Sequence, residues 1–491
     1  MNSKTFLVLR NYKNIYSKSS LFEHNFTRFV QKRCLHENEE SNINNITLED
    51  REYDSIAATV FQKPSIIEQR VLVIQPFVKW GPNKKVTKPE LQIQEAESLI
   101  HSIENWIAVQ SIKVPLQSLS KKTVFGKGKL DEIKSIISGT KAKGKPFTSI
   151  FISVGILTFA QKQFLTHELK LLILDRYSVV IQILRKHALS TESKIQVALA
   201  EIPYIWNSLK ESSTNNSTHQ IYLSESQKQI LRIREKKLRN ELEKVRNHRK
   251  LLRNKRTQKG IPVVSIVGYT NSGKTSLIQA LTNDSKLIPR NQLFATLDVT
   301  SHSGYLPSNL QVIYMDTVGF MSDLPTELFE CFVATLEDVV LSDLIIHVQD
   351  LSHENVIEQK KHVNNTLQKL FQSMKETSKR IPPVINVGNK IDLVSTYSGD
   401  NMNFVSSKTS HGLHQLLEVI EDKILAETDR KKMVLRVTNG GPEISWLYKN
   451  GAVTSVEADE NNPNFLLVRV VISNTFIHKF KNMFLNKKTL N

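Results

Sequence analysis

The spacing of apolar and polar positions changes period repeatedly along the chain. Arg70-Val-Leu-Val-Ile-Gln-Pro-Phe-Val78 is a short apolar run of the kind that forms a buried strand. Glu90–Ala108 then places Ala96, Leu99, Ile100, Ile103 and Ile107 at helical spacing. The alternation continues with strands at Ile112–Leu116, Ser149–Val154 and Leu171–Leu174, and helices at Leu130–Ile137 and Phe159–Leu169. This order predicts a parallel α/β domain over 65–190. From 191 to 209, Ile195, Leu199, Ile202, Trp206 and Leu209 step by four and three, a helical seam that Pro203 is expected to kink. After the polar stretch Glu211–Gln220, Leu231, Leu238, Val245 and Leu252 recur every seven residues beside Leu242, so two antiparallel helices forming a hairpin are expected over 191–259. Apolar strands recur at 261–268, 312–315 and 384–387, within a second α/β domain expected over 260–430. A small α+β domain is expected over 431–491, from strands Met433–Val437, Val453–Glu457 and Phe465–Val471, helix Glu443–Tyr448 and a short final helix.

A chain of 491 residues is long enough for about three such domains, each with its own core. Cys34 and Cys331 lie far apart and lack a Cys-x-x-Cys companion, which argues against a disulfide scaffold or zinc ribbon and fits a reducing compartment. The longest apolar runs, Ser149–Ala160 and Leu171–Leu184, are interrupted by polar residues and fall short of the ~18 to 20 needed to span a bilayer. A soluble, monomeric protein with no integral membrane contact is the expectation.

The formal charge of +18 is concentrated in two segments. Residues 1–36 carry seven basic side chains against Glu23, with Phe6 to Leu9 among them and many Ser and Asn, as a mitochondrial transit peptide does. Glu37, Glu39 and Glu40 then break the composition, so 1–36 is expected as a removable leader to the mitochondrial matrix and 37–64 as a linker. A basic arm that binds polyanions is the alternative. Residues 228–259 hold fourteen basic side chains against three acids, on the second hairpin helix. RNA or another phosphate-rich partner is expected there, against the simpler alternative of a solvated face.

The candidate chemistry lies between the basic helix and residue 410. Gly268-Tyr269-Thr270-Asn271-Ser272-Gly273-Lys274-Thr275 follows a strand and opens the helix from Ser276 to Leu281. In such a P-loop, successive backbone N–H groups wrap phosphates, Lys274 reaches the β- and γ-phosphates and Thr275 gives its hydroxyl to Mg²⁺. Asp316-Thr317-Val318-Gly319 ends another strand, where an acid organises Mg²⁺ and a glycine N–H meets the γ-phosphate. Asn389-Lys390-Ile-Asp392 is the arrangement whose carboxylate accepts from guanine N1–H and N2–H₂, and Ser406-Ser407-Lys408 stands where a loop would close over the base. GTP and GDP are the expected ligands.

Thr296 is the candidate for a mobile threonine that senses Mg²⁺ and the γ-phosphate, so the metal set expected is Thr275, Thr296 and Asp316. Lys274, Thr296, Gly319 and position 320 form the expected catalytic group. Phe320 stands where Ras-like enzymes place a water-orienting glutamine, so intrinsic hydrolysis should be slow and stimulated by a partner, a rearranged loop or a cation. Asn271 suggests K⁺ as that cation, or else a plain loop-stabilising role. Gly126-Lys-Gly-Lys129 is either a phosphate-binding turn or an ordinary strand-to-helix turn. His347, Asp350 and His353 lack a tight three-ligand pattern and read as a strand end entering a surface turn.

Gly268–Thr275, Gln292-Leu-Phe-Ala-Thr-Leu-Asp298, Asp316–Phe320, Leu324-Pro325 and Ala334-Thr-Leu-Glu337 together resemble the HflX family of translational GTPases. Gly126–Lys129, Leu174-Asp-Arg176 and Lys194–Ala200 extend the resemblance, which covers about 65–430, to motifs that GTPases in general do not share. It implies an α/β multidomain chain: an N-terminal parallel α/β domain, a helical hairpin, a Ras-like P-loop G domain and a small C-terminal α+β domain. It also implies binding to ribosomal RNA on the large ribosomal subunit, for splitting, recycling or assembly of ribosomes. A GTP-regulated RNA-remodelling protein or a tRNA-modification partner is the alternative. One departure is that Glu211–Gln220 replaces the family's Gly-rich hairpin loop, so that loop's contact does not transfer.

Overall fold

The computed structural model describes residues 51–61, 68–79, 87–116, 118, 121–142, 144–210, 225–258, 260–285, 287–289, 292–294, 296–322, 328, 336–373, 381–397, 401–460 and 462–485. The expected leader 1–36, the substituted loop Glu211–Gln220, and Leu324-Pro325 and Ala334-Thr335 lie outside them. The chain divides into two units between Thr59 and Val60. The boundary falls inside helix α1, Arg51–Phe61, in the stretch expected as a linker. Tyr53, Ile56 and Ala57 recur there at three- and one-residue steps on one helical face. The three sheets and the helical hairpin belong to the second unit.

Its first sheet is fully parallel, ordered β2-β1-β3-β4, from β1 (Gln69–Val78), β2 (Trp106–Leu116), β3 (Ser149–Ile152) and β4 (Leu172–Asp175). The crossovers are α2 (Pro89–His101), α3 (Lys127–Ala142) and α4 (Phe159–Leu169). Val71 to Ile74 of central β1 are wholly buried, as a strand covered by helices on both faces must be. Two starts are written into the sequence. Thr158 and Gln161 make a reciprocal capping box on α4, and Asp175 with Ser178 makes another on α5 (Arg176–His187). The helix expected to reach Ala108 stops at His101. Asn105 turns the chain at φ 63°, and Trp106 and Ile107 enter β2, where they pair with Gln69 and Arg70.

Helices α6 (Thr191–Lys210) and α7 (Glu225–Gln258) follow. The Arg232 guanidinium lies over the Trp206 ring at 5.9 Å, and Arg249 Nε is 2.7 Å from Glu192 Oε2. An early α7 residue thus meets late α6 and a late one meets early α6, so the pair is antiparallel. Helix α6 runs through Pro203 as one element. Leu231 and Leu238 are buried in the seam, whereas Leu252, three residues past the Arg249 that meets the first turn of α6, is 44% exposed.

The second sheet is ordered β10-β9-β8-β5-β7-β6. It comprises β5 (Val263–Gly268), β6 (Thr300–Tyr305), β7 (Gln311–Asp316), β8 (Leu344–Asp350), β9 (Val384–Asn389) and β10 (Met402–Phe404), with only β6 antiparallel. Central β5 has β8 on one side and β7 on the other, so the chain order reverses there. Gly268, Asp316, Asp350 and Asn389 all end strands at this one edge, where open α/β sheets build their ligand sites. Helices α8 (Lys274–Thr282), α9 (Val356–Ser373) and α10 (Leu413–Glu427) accompany the sheet. The last sheet is antiparallel, ordered β11-β13-β12, from β11 (Arg430–Thr438), β12 (Ala452–Ala458) and β13 (Phe465–Ser473). Helices α11 (Pro442–Asn450) and α12 (Asn474–Phe480) cover it through Leu447 and Phe480, as the α+β pattern predicts.

Candidate nucleotide site

Backbone geometry makes the first part of the site. A Cβ on Gly268 would lie 2.3 Å from Val348 O, so only glycine lets the end of β5 approach β8 this closely. The loop turns through Asn271 at φ 61° and Gly273 at φ 89°, and α8 then begins at Lys274 with Thr275 and Ser276 in its first turn. Such a helix N-terminus offers unpaired N–H groups and a positive dipole end to an anion. Lys274 Nζ donates to Tyr269 O at 2.9 Å, and burial lowers its pKa to about 8 against the pull of Asp316.

Three oxygens expected from distant segments meet beside it. Thr275 Oγ1 donates to Asp316 Oδ2 at 2.6 Å, and Thr296 Oγ1 lies 3.2 Å from both Thr275 Oγ1 and Asp316 Oδ2. Burial raises the Asp316 pKa, opposed by Thr275 and Lys274. Asp316 Oδ1 is buried with no hydrogen-bond partner among the described residues, an arrangement that a cation would satisfy. Two hydroxyls and one carboxylate with a spare buried oxygen are hard donors, and they fit Mg²⁺ completed by phosphate and water.

The base-side segment is cross-braced to the P-loop. Asn389 Nδ2 donates to Ser272 O at 3.1 Å, while its Oδ1 accepts from Ser407 N at 3.1 Å and Ser407 Oγ at 3.0 Å. Lys390 Nζ donates to Asn271 O at 3.0 Å and to Asp350 Oδ2 at 2.7 Å. Asp392 Oδ1 accepts from Ser406 Oγ at 2.6 Å, which orients the carboxylate and leaves Oδ2 for a donor on the base. Lys408 is exposed on the same loop, which a Ser406–His411 bridge closes.

Phe320 differs from a water-orienting side chain in place as well as in type. Its ring is buried, and its backbone ties the Asp316–Phe320 turn to the P-loop: Phe320 N donates to Gly268 O at 3.0 Å and Thr270 N to Phe320 O at 2.8 Å. Gly319 is held so closely that a Cβ would be 2.9 Å from Thr270 Cα. Thr317 Oγ1 donates to Ile266 O at 2.6 Å, and Val318 is buried. The Tyr269 hydroxyl accepts from Ser322 N at 3.0 Å and lies 3.3 Å from Glu95 of α2. Arg176, almost wholly buried, pairs with Glu95 and donates to Ser322 O at 3.2 Å. The first sheet's domain therefore reaches the nucleotide turns through Arg176, whose signal in the sequence was the Leu174-Asp-Arg176 motif. Asp298 stood at the end of the Gln292–Asp298 motif, whereas Ser190 carried no signal.

The other candidates make their contacts within the chain. Gly126 O accepts the amides of Lys129 and Leu130, and Lys129 pairs with Glu132, as at an ordinary helix start. His347 is buried in β8 with its pKa lowered to about 4 by burial, Asp350 pairs with Lys390, and His353 Nδ1 accepts from Asn355 N. No cluster of three or more His, Cys, Asp or Glu side chains is placed to hold a metal among the described residues. On the basic helix, Arg246 pairs with Glu337, Arg249 with Glu192 and Asp338, and Arg253 with Asp338. These arginines are committed within the chain. Lys236, Lys237 and Lys250 are exposed and have no ion-pair partner among the described residues.

Three family models match the chain: a GTP-binding GTPase N-terminal region over 90–184, its middle region over 187–256 and a 50S ribosome-binding GTPase over 263–390. GTP-binding protein 6 of Homo sapiens is 40% identical over 429 residues, covering 85% of this chain and 81% of that protein. GTPase HflX of Caldanaerobacter subterraneus is 35% identical over 356 residues, covering 70% and 79%. A crystal structure of a GTP-binding protein from the archaeon Sulfolobus solfataricus in complex with GDP is 23% identical, covering 73% of this chain and 99% of that one, with a TM-score of 0.39. With 35% identity to a GTPase HflX over 70% of this chain, 40% identity to GTP-binding protein 6 over most of both chains, and the P-loop, acid and base-side segments gathered at one sheet edge, this protein belongs to the HflX family and is a P-loop GTPase.

Proposed function

We propose that this GTPase is a nucleotide-controlled factor that binds the large ribosomal subunit in mitochondria and is released when GTP is hydrolysed. The observation that carries the switch reading is the meeting of Thr296 with Thr275 and Asp316, because a threonine from a separate segment then completes a metal site that depends on the γ-phosphate. When bound, Mg²⁺ would neutralise charge developing on the phosphates. The P-loop amides of Asn271 to Thr275 cradle the phosphates, Lys274 offsets their charge, and Gly319 presents its N–H to the γ-phosphate. Asp392, oriented by Ser406 and backed by Asn389, Lys390, Ser407 and Lys408, reads guanine.

The buried Phe320 ring orients no water, so slow intrinsic turnover and stimulation by a partner belong to this reading. Asn271, exposed at its left-handed turn, adds a potassium ion near the phosphates. For the RNA contact we assign the exposed lysines 236, 237 and 250 in place of the arginines that pair internally. Residues 1–36 would direct the chain to the matrix.

Density-gradient sedimentation with purified mitochondrial large subunits tests the function. Co-sedimentation is expected with non-hydrolysable GTP and not with GDP. Replacing Lys236, Lys237 and Lys250 by Gln should flatten the plot of log affinity against log salt by roughly two to three units, at ~0.7 to 0.9 per lost phosphate contact. Binding that ignores the nucleotide would reject the switch, and an unchanged slope would reject the lysines as the RNA face.

A further inference from the structure

Thr296 reaches the metal set from a segment that is held from outside the G domain on both sides. Two residues before it, Phe294 O lies 2.7 Å from His187 Nδ1, at the end of α5. Two residues after it, Asp298 Oδ2 accepts from Leu189 N at 3.2 Å and Ser190 N at 3.1 Å, and Ser190 Oγ donates to Asp298 Oδ1 at 2.5 Å. Ser190 precedes the first residue of α6, and its Oγ also accepts from Ser193 N at 3.1 Å. The Asp298 carboxylate is thus an added cap on the first hairpin helix, supplied from the G domain, where a negative charge meets unpaired N–H groups and the positive dipole end.

The same helix end touches the chain beyond Phe320. Glu192, in the first turn of α6, pairs with Arg249, and Arg249 also reaches Asp338 at 3.4 Å. The first turn of α6 is therefore held twice, by Asp298 through Leu189 and Ser190 and by Glu192 through Arg249 to Asp338.

We propose that Asp298 is a positioning residue for Thr296: by capping α6 through Leu189 and Ser190 it holds the Thr296 hydroxyl against Thr275 and Asp316. The seating of the hairpin and the occupancy of the metal and γ-phosphate site become mutually dependent, since whatever stabilises one end of this clamp stabilises the other to the same extent. The proposal rests on the reading of Thr296 as a metal ligand. It adds to that reading a role for the acid that ends the Gln292–Asp298 motif and a route by which the hairpin, the element assigned to RNA, responds to the nucleotide.

The test compares Asp298→Ala, Asp298→Asn and Thr296→Ala in the full-length protein. Four quantities are read: kcat, the Mg²⁺ concentration giving half-maximal GTP hydrolysis, and the affinities for GDP and for non-hydrolysable GTP. Asp298→Ala should lower kcat and raise the Mg²⁺ requirement by roughly 10-fold or more, the factor carried by one charge-assisted hydrogen bond. GDP affinity should stay within about two-fold, because GDP binding does not call on Thr296. Asp298→Asn keeps the shape and an acceptor but not the charge. It should fall between wild type and Asp298→Ala, and it carries the test should the alanine variant not fold. In wild type, exchange of the amides of residues 189–193 should be slower with Mg²⁺ and non-hydrolysable GTP than with GDP, and in the Asp298 variants that difference should shrink. Thr296→Ala impaired beside Asp298 variants with normal Mg²⁺ dependence would overturn this proposal alone. Thr296→Ala with normal Mg²⁺ dependence would overturn the metal reading beneath it. Equal losses of GDP and GTP affinity in Asp298→Ala would show a cap that merely supports the fold, and would also overturn the proposal.

Discussion

Arg249→Met removes a cation that two buried acids share. Its Nε is 2.7 Å from Glu192 Oε2 and its Nη1 is 3.4 Å from Asp338 Oδ2, with side-chain exposures of 4% for Glu192 and 7% for Asp338. Asp338 would keep Arg253 at 3.4 Å, but among the described residues Glu192 would keep only Gln196, whose Nε2 lies 3.3 Å from Oε1. Deleting one partner of a buried pair costs about 3 to 5 kcal/mol because the remaining charge is left desolvated. With Arg249 itself 23% exposed and Asp338 still paired, the lower end applies, about 3 kcal/mol. At about 2 °C per kcal/mol for a large unit, the melting temperature at pH 7 should fall by about 6 °C in differential scanning calorimetry.

The pH dependence has a definite sign. Burial already raises the Glu192 pKa above its ordinary 4.5 despite Arg249, and without the arginine it rises further. Between the ordinary value and the raised one the native state binds more protons than the unfolded state, so stability falls as pH rises through that interval. The deficit of Arg249→Met should therefore be small below about pH 4.5 and grow above it. Adding Glu192→Gln removes the orphaned charge and should restore stability to within about 1 kcal/mol of wild type, without the pH dependence. An unchanged melting temperature in Arg249→Met at pH 7, or a deficit that Glu192→Gln leaves intact, would refute the account.

Gly273→Ala places a Cβ 2.3 Å from Asn389 Nδ2 at φ 89°. Strain of about 1 to 3 kcal/mol should weaken GDP and GTP equally, by roughly 10-fold or more in a fluorescent-nucleotide titration; unchanged affinity would mean the loop tolerates the shift. Asp392→Asn keeps the Ser406 contact but exchanges an acceptor for an amide, so competition binding should show GTP weakened by roughly 100-fold and xanthosine triphosphate strengthened. Affinities that do not move would remove Asp392 from base reading. Hydrolysis should be faster in potassium than in sodium salts at equal ionic strength and lose that preference in Asn271→Ala, whereas equal wild-type rates would dispose of the cation.

What the sequence determined by itself is what contiguous residues settle. The apolar run Val71–Ile74, the capping residues Thr158 and Gln161, and the P-loop from Gly268 to Thr275 were legible, because an apolar run, a helix cap and a phosphate-wrapping turn are each written in adjacent residues. Asp316 and Asn389 were legible for the same reason, each closing an apolar strand, although only the β5-centred sheet order brings them to one edge. Where the helix begun at Pro89 stops was not legible, since Ile103 and Ile107 continue its period and only pairing with β1 draws Trp106 and Ile107 into a strand. Nor was the division of labour on the basic helix. A charge count sums Arg246, Arg249 and Lys250 alike, yet the acids that claim the arginines lie 57 to 91 positions away, and the lysine meets none of them among the described residues. Asp298 ended a motif as an unexceptional acid until folding set it against the amides of Leu189 and Ser190. Short-range sterics and periodicity can be read along a chain; which charges meet, and so which of them stay free for a partner, depends on distances that exist only after the chain has folded.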